Sequence, residues 1–127
     1  MGAQTVLYIE DNEYNRKIVR QLLARTSYHL IEAVDGETGI AIAQQQLPQL
    51  ILMDVQLPKM SGLEATRILK ATPATSTIPI VVITSFALSG DREKAAAAGA
   101  DSYLAKPYSP RELLALVRRF LPEEGST

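Results

Sequence analysis

The feature of the sequence that most constrains its fold is an apolar stretch, Leu50 to Met53, that ends in Asp54. The stretch contains no polar residue, and Pro48 and Pro58 flank it. A continuous apolar run of this length is typical of a strand that is buried on both faces of a parallel sheet. Asp54 then lies at the carboxyl end of the strand, where it has either a chemical role or the ordinary role of turning the chain.

Four more β-rich stretches alternate with segments of helical periodicity. We predict strands at residues 5–9, 28–33, 50–55, 80–83 and 103–105, and helices at residues 12–23, 37–46, 61–71, 89–99 and 109–121. In the first helix the apolar residues recur at helical spacing, so Arg16 and Arg20 are expected to face away from the core. Strict alternation of strands and helices predicts right-handed crossovers and a parallel sheet with helices on both faces. The fold class is therefore α/β, with one doubly wound sheet.

Capping residues mark several of the helix boundaries. Asn12, Ser61 and Ser109 are suited to accept hydrogen bonds from the free N–H groups of a first helical turn. Glu64 follows Ser61 at the spacing of a capping box, and Gly99 is expected to end the fourth helix. These local signals agree with the boundaries that the alternation predicts.

Length and composition limit the number of domains and the classes of function. A chain of 127 residues, 46% of them hydrophobic, has the size of one soluble domain. We expect a single domain over residues 1–127, with a core at about residues 5–121 and a disordered tail at residues 122–127. The net charge of −1 offers no general attraction for nucleic acid, and the absence of cysteine excludes disulfides and thiolate metal sites. With no secretory signal and no apolar run long enough for a bilayer, a cytoplasmic protein is expected.

Polar residues follow four of the five predicted strands. Glu10 and Asp11 follow the first strand, Asp54 the third, Thr84 the fourth and Lys106 the fifth. Ligands of doubly wound sheets bind outside the carboxyl ends of the strands. One such residue would be a weak signal, but together these residues predict a functional site at that edge.

The charges of these residues indicate the chemistry. Two carboxylates about 5 Å apart repel by roughly 3 kcal/mol at an effective dielectric constant of 20, so clustered acids need a cation or altered pKa values. A site with only oxygen ligands suits Mg²⁺ better than zinc. Lys106 cannot neutralise three acids, but it can pair with an anion such as a phosphoryl group. Thr84 could then donate a hydrogen bond to that group while Asp54 attacks phosphorus, which would give an aspartyl phosphate.

The sequence resembles the receiver domains of two-component response regulators from about Thr5 to Leu121, and the expected type is a stand-alone, chemotaxis-regulator-like receiver. The motifs that carry the resemblance are Glu10-Asp11-Asn12, Met53-Asp54, Leu57-Pro58 with Gly62, Thr84-Ser85 and Lys106-Pro107. The resemblance implies a flavodoxin-like (βα)5 fold with a parallel sheet in the order 2-1-3-4-5. It also implies signalling through a phosphoacceptor rather than ordinary enzyme activity.

The resemblance further implies a metal site. Asp11 and Asp54 would bind Mg²⁺ directly, Glu10 mostly through water, and the main-chain carbonyl of Gln56 would complete the protein ligands. Mn²⁺ is a possible substitute. No further cofactor is expected.

Two more residues gain roles from the resemblance. Thr84 and Lys106 would contact the phosphoryl oxygens, and the Lys106–Pro107 peptide bond would be cis. After phosphorylation Thr84 would move, and Tyr103 would turn inward as a switch; otherwise Tyr103 is simply a packed strand residue. The surface that this switch changes would comprise the fourth helix, fifth strand and fifth helix, including Phe86, Leu88, Tyr108 and residues 95–98.

The expected partners follow from this chemistry. A sensor histidine kinase or a histidine phosphotransfer protein would supply the phosphoryl group. Because no output domain follows Leu121, the chain would act by contact, as a phosphorelay intermediate or as a protein-binding adaptor. It would be a monomer or a phosphorylation-dependent dimer, without nucleic acid or membrane partners. His29 lies in a predicted edge strand and is interpreted as an ordinary strand residue.

Two other functions share parts of this pattern. An aspartate-nucleophile phosphatase would carry a second Asp two residues after the nucleophile, and Gln56 occupies that position. A flavodoxin-like FMN-binding protein would have a phosphate loop after its first strand, where Glu10 and Asp11 would repel phosphate. Gln56 and Phe86 are expected to shield an acyl phosphate from water, so that it hydrolyses more slowly than in a Phe86→Ala variant.

Overall fold

The computed structural model describes residues 4–85 and 90–122, and these contain five strands and five helices. In chain order the elements are β1 (Thr5–Ile9), α1 (Glu13–Leu23), β2 (His29–Ala33), α2 (Gly36–Gln46), β3 (Leu50–Asp54), α3 (Gly62–Ala71), β4 (Ile80–Thr84), α4 (Asp91–Ala97), β5 (Ser102–Ala105) and α5 (Pro110–Phe120). The predicted alternation is confirmed. Ser89, predicted to start α4, lies outside the described residues, as do residues 123–127 of the expected tail.

The strands form one parallel sheet in the order β2-β1-β3-β4-β5, which confirms the expected topology. The chain order reverses beside β1, because β1 has β2 on one side and β3 on the other. β2 is therefore an edge strand, and its His29 is exposed, as expected for an ordinary strand residue. The carboxyl ends of β1 and β3 lie next to each other at this reversal, where doubly wound sheets bind ligands.

Each face of the sheet is covered by helices. Alternate strand residues such as Tyr8 and Leu52 pack with α1 and α5, while their neighbours such as Ile9 and Met53 pack with α2, α3 and α4. Every residue of β3 is buried, which is why its sequence is continuously apolar and not alternating. The buried sheet is a rigid support for the residues at its edge.

Capping side chains begin the helices as predicted. The side chains of Asn12, Ser61 and Ser109 each accept a hydrogen bond from the first turn of α1, α3 and α5, and Ser109 forms a full capping box. Asp35 caps α2 in the same way, so that helix begins one residue earlier than predicted. Gly99 has a φ of 101° just after α4, which is the left-handed conformation expected at the end of a helix.

Within residues 4–85 and 90–122, no helix has both the length and the apolar character that crossing a membrane requires.

Candidate functional site

The residues predicted from the strand ends do meet at one edge of the sheet. Asp54 ends β3 and Thr84 ends β4, while Glu10 and Lys106 directly follow β1 and β5. Glu10, Asp54 and Thr84 are each 3% exposed or less, whereas Asp11 is exposed. Two of the acids are therefore buried, and Asp11 is the one at the protein surface.

Three carboxylates form a compact cluster at this edge of the sheet. One carboxylate oxygen from each of Glu10, Asp11 and Asp54 lies within 4.8 Å of the other two. Glu10 and Asp11 come from the loop after β1, and Asp54 comes from the adjacent strand β3. The position of β1 beside β3 is thus the reason why acids more than forty residues apart in the chain come together.

Lys106 reaches into the cluster from β5 across the carboxyl ends of the strands. Its Nζ donates a hydrogen bond to Glu10 Oε1 at 3.0 Å and lies 3.6 Å from Asp54 Oδ1. The side chain of Lys106 is 18% exposed, so its ammonium remains accessible to an incoming anion. The Lys106–Pro107 peptide bond is cis, as expected.

Burial and mutual contact change the pKa values of these groups. Burial, together with the negative charge of Glu10, raises the pKa of Asp54 to about 7. Burial also acts to raise the pKa of Glu10, but hydrogen bonds from Asp54 and Lys106 outweigh it, so this pKa is lowered. Burial acts to lower the pKa of Lys106, while the neighbouring acids raise it overall. The protein alone therefore holds Glu10 as the charged acceptor, and Asp54 is partly protonated near neutral pH.

This donor set fits Mg²⁺. The cluster offers three carboxylates and no nitrogen or sulfur ligand, and an all-oxygen set with room for water is what a hard divalent cation prefers. The raised pKa of Asp54 arises first from its burial and then from the nearby Glu10, so a cation at this place would favour its charged form. Glu10 and Asp54 are buried, while Asp11 is exposed. Which of the three acids would bind an ion directly stays a prediction.

Comparisons with known proteins identify the family. The profile described as "Response regulator receiver domain" matches residues 6–118. The chain belongs to the response regulator receiver family. It is 36% identical over 118 residues to the polar-differentiation response regulator DivK of Brucella anthropi, which covers 93% of this chain and 96% of that protein. Receiver domains are phosphoacceptor signalling modules of two-component systems and not ordinary enzymes.

Solved structures agree with this assignment. The receiver domain of a sensor histidine kinase from Pseudomonas aeruginosa, with a magnesium ion in its active-site cleft, has a TM-score of 0.86 and 35% identity, and the match covers 94% of this chain and 98% of that one. The chemotaxis response regulator CheY4 of Vibrio cholerae has a TM-score of 0.87 and 28% identity, covering 94% and 99%. The receiver fold of this chain is therefore shared with both hybrid-kinase and chemotaxis proteins. The family assignment favours a receiver function over the phosphatase and FMN-binding alternatives.

The loop after β3 supports Asp54 in this receiver domain. The backbone N–H of Gln56 donates to Asp54 Oδ1 at 3.4 Å, and the N–H of Gly62 donates to the carbonyl of Val55 at 2.9 Å. A Cβ at Gly62 would lie 2.1 Å from the carbonyl oxygen of Asp54. Gly62 is needed because α3 starts in direct contact with the end of β3. The role of the Gln56 carbonyl stays a prediction.

Tyr8 was missed as a site residue because it reads as one more apolar position of β1. Its ring is buried in the core, and its hydroxyl donates to Glu10 Oε1 at 3.1 Å. Glu10 also accepts from the side chain of Asn15 at 3.4 Å and from the backbone of Asn12 at 3.2 Å. A tyrosine two residues before an acid, on the same side of a strand, is the signal that could have indicated this contact.

Arg16 was expected to face away from the core, but its contact with the end of β1 was not predicted. Its side chain is only 12% exposed, and its guanidinium donates to the backbone carbonyl of Glu10 at 2.8 Å. Arg20, one turn further on, does face outwards and pairs with Glu32 at 2.7 Å. Periodicity assigned both arginines to the polar face of α1, but it does not report how far a long side chain reaches.

The predicted switch residue Tyr103 is half-buried in β5, and the guanidinium of Arg92 in α4 lies 5.4 Å from the centre of its ring. This distance is within the range of a cation–π contact. Tyr108 is likewise half-buried. Ala95 and Ala98 of the Ala-rich run are buried, so these two residues do not belong to an exposed face. Phe86 and Leu88, with the predicted shielding by Phe86, lie outside the described residues.

Proposed function

We propose that this chain is a single receiver domain, with a core at about residues 5–121, whose Asp54 accepts a phosphoryl group from a phosphorylated histidine. The observation that carries the proposal is the contact of Lys106 with both Glu10 and Asp54, at 3.0 and 3.6 Å. This arrangement joins a buried nucleophile, a second acid and a cationic side chain at one edge of the sheet. It is the set of groups that phosphoryl transfer to a carboxylate needs.

In the proposed transfer, a carboxylate oxygen of Asp54 attacks phosphorus opposite the histidine nitrogen. The phosphorus–nitrogen bond breaks as the phosphorus–oxygen bond forms, and the imidazole takes up a proton and leaves as neutral histidine. The product is an aspartyl phosphate on Asp54. The nearly complete burial of this carboxyl supports a restricted approach for the donor.

The metal ligands in this proposal are Asp11 and Asp54 directly, Glu10 through water, and the main-chain carbonyl of Gln56. Mg²⁺, when bound, supplies the positive charge that offsets the carboxylates and the phosphoryl oxygens. The all-oxygen cluster supports Mg²⁺ as the ion and makes Mn²⁺ an acceptable substitute. The magnesium ion in the related kinase receiver supports the same choice.

Lys106 and Thr84 are proposed to hold the phosphoryl oxygens. The Lys106 ammonium now contacts two carboxylates, and an additional anion bonded to Asp54 would give it a third acceptor in the same place. Thr84 ends β4 beside the strand that carries Asp54, and its hydroxyl is a suitable donor.

The proposed signal is a change of the surface formed by α4, β5 and α5. Movement of Thr84 towards the phosphoryl group would allow the Tyr103 ring to turn inward, away from Arg92. The half-buried position of Tyr103 supports this role, because the ring is neither locked in the core nor free in solvent. Phosphorylation adds nearly two negative charges at Asp54, which is enough to bias such a movement.

The proposed donors are a sensor histidine kinase or a histidine phosphotransfer protein, and the downstream partner is a protein that contacts the changed surface. Similarity to a kinase receiver supports a phosphorelay intermediate, and similarity to DivK and CheY4 supports an adaptor. We propose that the protein works in the cytoplasm, as a monomer or as a dimer that forms on phosphorylation.

Phosphoramidate tests the acceptor directly, because it presents phosphorus bonded to nitrogen as phosphohistidine does. With Mg²⁺, wild type is expected to gain the mass of one phosphoryl group, and Asp54→Asn is expected to gain none. Asp101→Asn removes an aspartate that pairs with Lys70 away from the site, and it should be phosphorylated like wild type. Phosphorylation of Asp54→Asn at the wild-type rate would disprove the assignment of Asp54, and EDTA is expected to prevent the reaction of wild type.

A further inference from the structure

Arg16 makes a contact with residues 10–12 between β1 and α1, here called the acidic loop, that the proposed chemistry does not use. This residue lies in the first turns of α1, and its Nη1 donates to the carbonyl oxygen of Glu10 at 2.8 Å. Glu10 is the first residue after β1, so the guanidinium holds the main chain where it leaves the strand. Only 12% of the side chain is exposed, and the contact is thus shielded from competing water.

The guanidinium is fixed on its other sides by two more acids. Its Nη2 lies 2.5 Å from Glu13 in the first turn of α1, and its Nε lies 3.3 Å from Glu32 in β2. Glu32 is held in turn by two hydrogen bonds from Arg20, each 2.7 Å long. Arg16 therefore joins β1, α1 and β2 around the loop, and a planar guanidinium with several donors is suited to this task.

Holding the Glu10 carbonyl has a direct consequence for Asp11. The carbonyl group of Glu10 and the N–H group of Asp11 belong to the same planar peptide unit. Fixing the oxygen therefore fixes the plane from which the Asp11 side chain leaves. The N–H of Glu10 is already bonded to the carbonyl of Ala33 at 2.9 Å, so the contact with Arg16 completes the hold on this residue.

We infer that Arg16 is a positioning residue of the metal site: by holding the Glu10 carbonyl it presents Asp11 to a divalent cation against the repulsion of Glu10 and Asp54. The inference rests on the proposed function, since Asp11 is a direct ligand only in that proposal. Outer contacts that orient metal ligands typically change metal affinity by ten- to a hundred-fold when they are removed. An arginine that served only the ion pairs of the protein surface would alter stability and leave metal affinity unchanged.

Arg20 provides a matched control on the same helix. It contacts Glu32 and Glu13, two of the acids that also contact Arg16, but its hydrogen bonds go to Glu32 and not to the acidic loop. Arg16→Lys and Arg20→Lys both keep the positive charge and remove the planar fork. The difference between the two variants therefore isolates the contact with the Glu10 carbonyl from the charge of the network.

The experiment is a titration of each folded variant with MgCl₂, followed by amide shifts of residues 10–12 and 54–56 in ¹H–¹⁵N spectra. We expect Arg16→Lys to weaken Mg²⁺ binding about ten-fold and Arg20→Lys to leave it unchanged. Urea unfolding in EDTA gives the stability of each variant separately from its metal affinity. Arg16→Met and Arg20→Met, which keep the apolar stem, form a second pair, and the same difference between the two positions is expected.

Two results would overturn the inference. The first is an Mg²⁺ affinity of Arg16→Lys equal to that of wild type, and the second is an equal loss of affinity in the Arg20→Lys control. Both differ from a failure of the proposed function. In that case wild type itself would show no Mg²⁺-dependent shift at Asp11 and Asp54 and would not be phosphorylated by phosphoramidate.

Discussion

The interior of β3 and its carboxyl end are equally buried but chemically opposite. Leu50, Ile51, Leu52 and Met53 are 0% exposed, and Asp54, the next residue, is 2% exposed. Burial of the apolar residues is favourable by about 1.5–3 kcal/mol for each large side chain. Burial of the Asp54 carboxyl is unfavourable, and its raised pKa of about 7 reports that cost.

The contrast between the apolar interior of β3 and Asp54 at its end shows that one part of the strand serves stability and the other serves function. The apolar interior stabilises the fold and supplies the rigid floor of the site. The strand ends hold charges that the protein alone compensates only in part, through Lys106 and through hydrogen bonds to Glu10. A divalent cation would supply the positive charge that these strand ends lack.

The largest expected loss of stability comes from a substitution in the apolar interior of β3. Leu52→Ala should lower the free energy of unfolding by about 2–5 kcal/mol, because Leu52 is fully buried between the sheet and its helices. Leu47→Ala, at a leucine that is 48% exposed, should cost less than about 1 kcal/mol. Urea unfolding of both variants measures the difference. Equal costs at the two positions would show that burial in β3 is not the source of stability.

The contact between Gly62 of α3 and the carbonyl of Asp54 links the apolar interior of β3 to its charged carboxyl end. Gly62→Ala should cost about 1–3 kcal/mol and weaken Mg²⁺ binding, because the new Cβ would displace the Asp54 carbonyl. Gly36→Ala is the control, since its Cβ would meet the flexible end of Met60 at 3.1 Å. Chemical unfolding and Mg²⁺ titration test both effects. A Gly62→Ala protein with normal stability would mean that the helix shifts without cost.

At the carboxyl end of β3, removal of the Asp54 charge should stabilise the protein. The pKa of Asp54 is about 7 in the folded protein and has its usual value of 3.8 when unfolded, so the folded state binds the extra proton between these values. The contribution of Asp54 to stability therefore falls as the pH rises from about 4 to about 7, and it stays lost above that range. Asp54→Asn in EDTA should be more stable than wild type by about 1–3 kcal/mol at pH 8, with a smaller gain at pH 4.

Asp35→Asn is a control whose stability should depend on pH in the opposite direction. Asp35 accepts hydrogen bonds from Thr38 at the start of α2, and these lower its pKa. The Asp35 carboxylate therefore stabilises the folded state above its usual pKa, and this contribution is lost in acid. Asp35→Asn should therefore lose stability at neutral pH and lose nothing at low pH. Urea unfolding across the pH range measures both variants. A pH profile of Asp54→Asn parallel to that of wild type would refute the raised pKa.

The smallest expected effect is stabilisation by the metal. At free Mg²⁺ about ten times its dissociation constant, wild type should gain about 1.4 kcal/mol of unfolding free energy. Leu52→Ala should keep this gain despite its lower stability, whereas Asp11→Asn should lose most of it. Thermal unfolding with MgCl₂ and with EDTA measures the gain. An equal gain for Asp11→Asn would place the bound ion elsewhere.

Much of the site could be predicted because it depends on topology. Parallel strands bring all their carboxyl ends to one edge, so Glu10, Asp54 and Lys106 were expected to meet once the strands were assigned. The structure confirms this meeting with contacts of 3.0 and 3.6 Å. The roles of Gln56, Thr84 and Tyr103 stay predictions, since their chemistry depends on the bound ion or on phosphorylation.

The residues that support the site were not predictable in the same way. Tyr8 fits the apolar pattern of β1, and Arg16 fits the polar face of α1, yet both contact Glu10. Patterns of polarity assign a residue to a face, but they carry no information on where the end of a long side chain lies. The contact of Arg92 with Tyr103 was missed for the same reason.

The alternation of strands and helices, the burial of β3 and the strand ends that carry charged residues could all be predicted from the sequence. These properties depend on local periodicity and on the carboxyl-end rule, which need no coordinates. The distances among Glu10, Asp54 and Lys106, the resulting pKa values and the contact of Arg16 with the acidic loop came from the folded structure. Electrostatic energies depend on separation and burial, and both are set by packing between elements far apart in the chain.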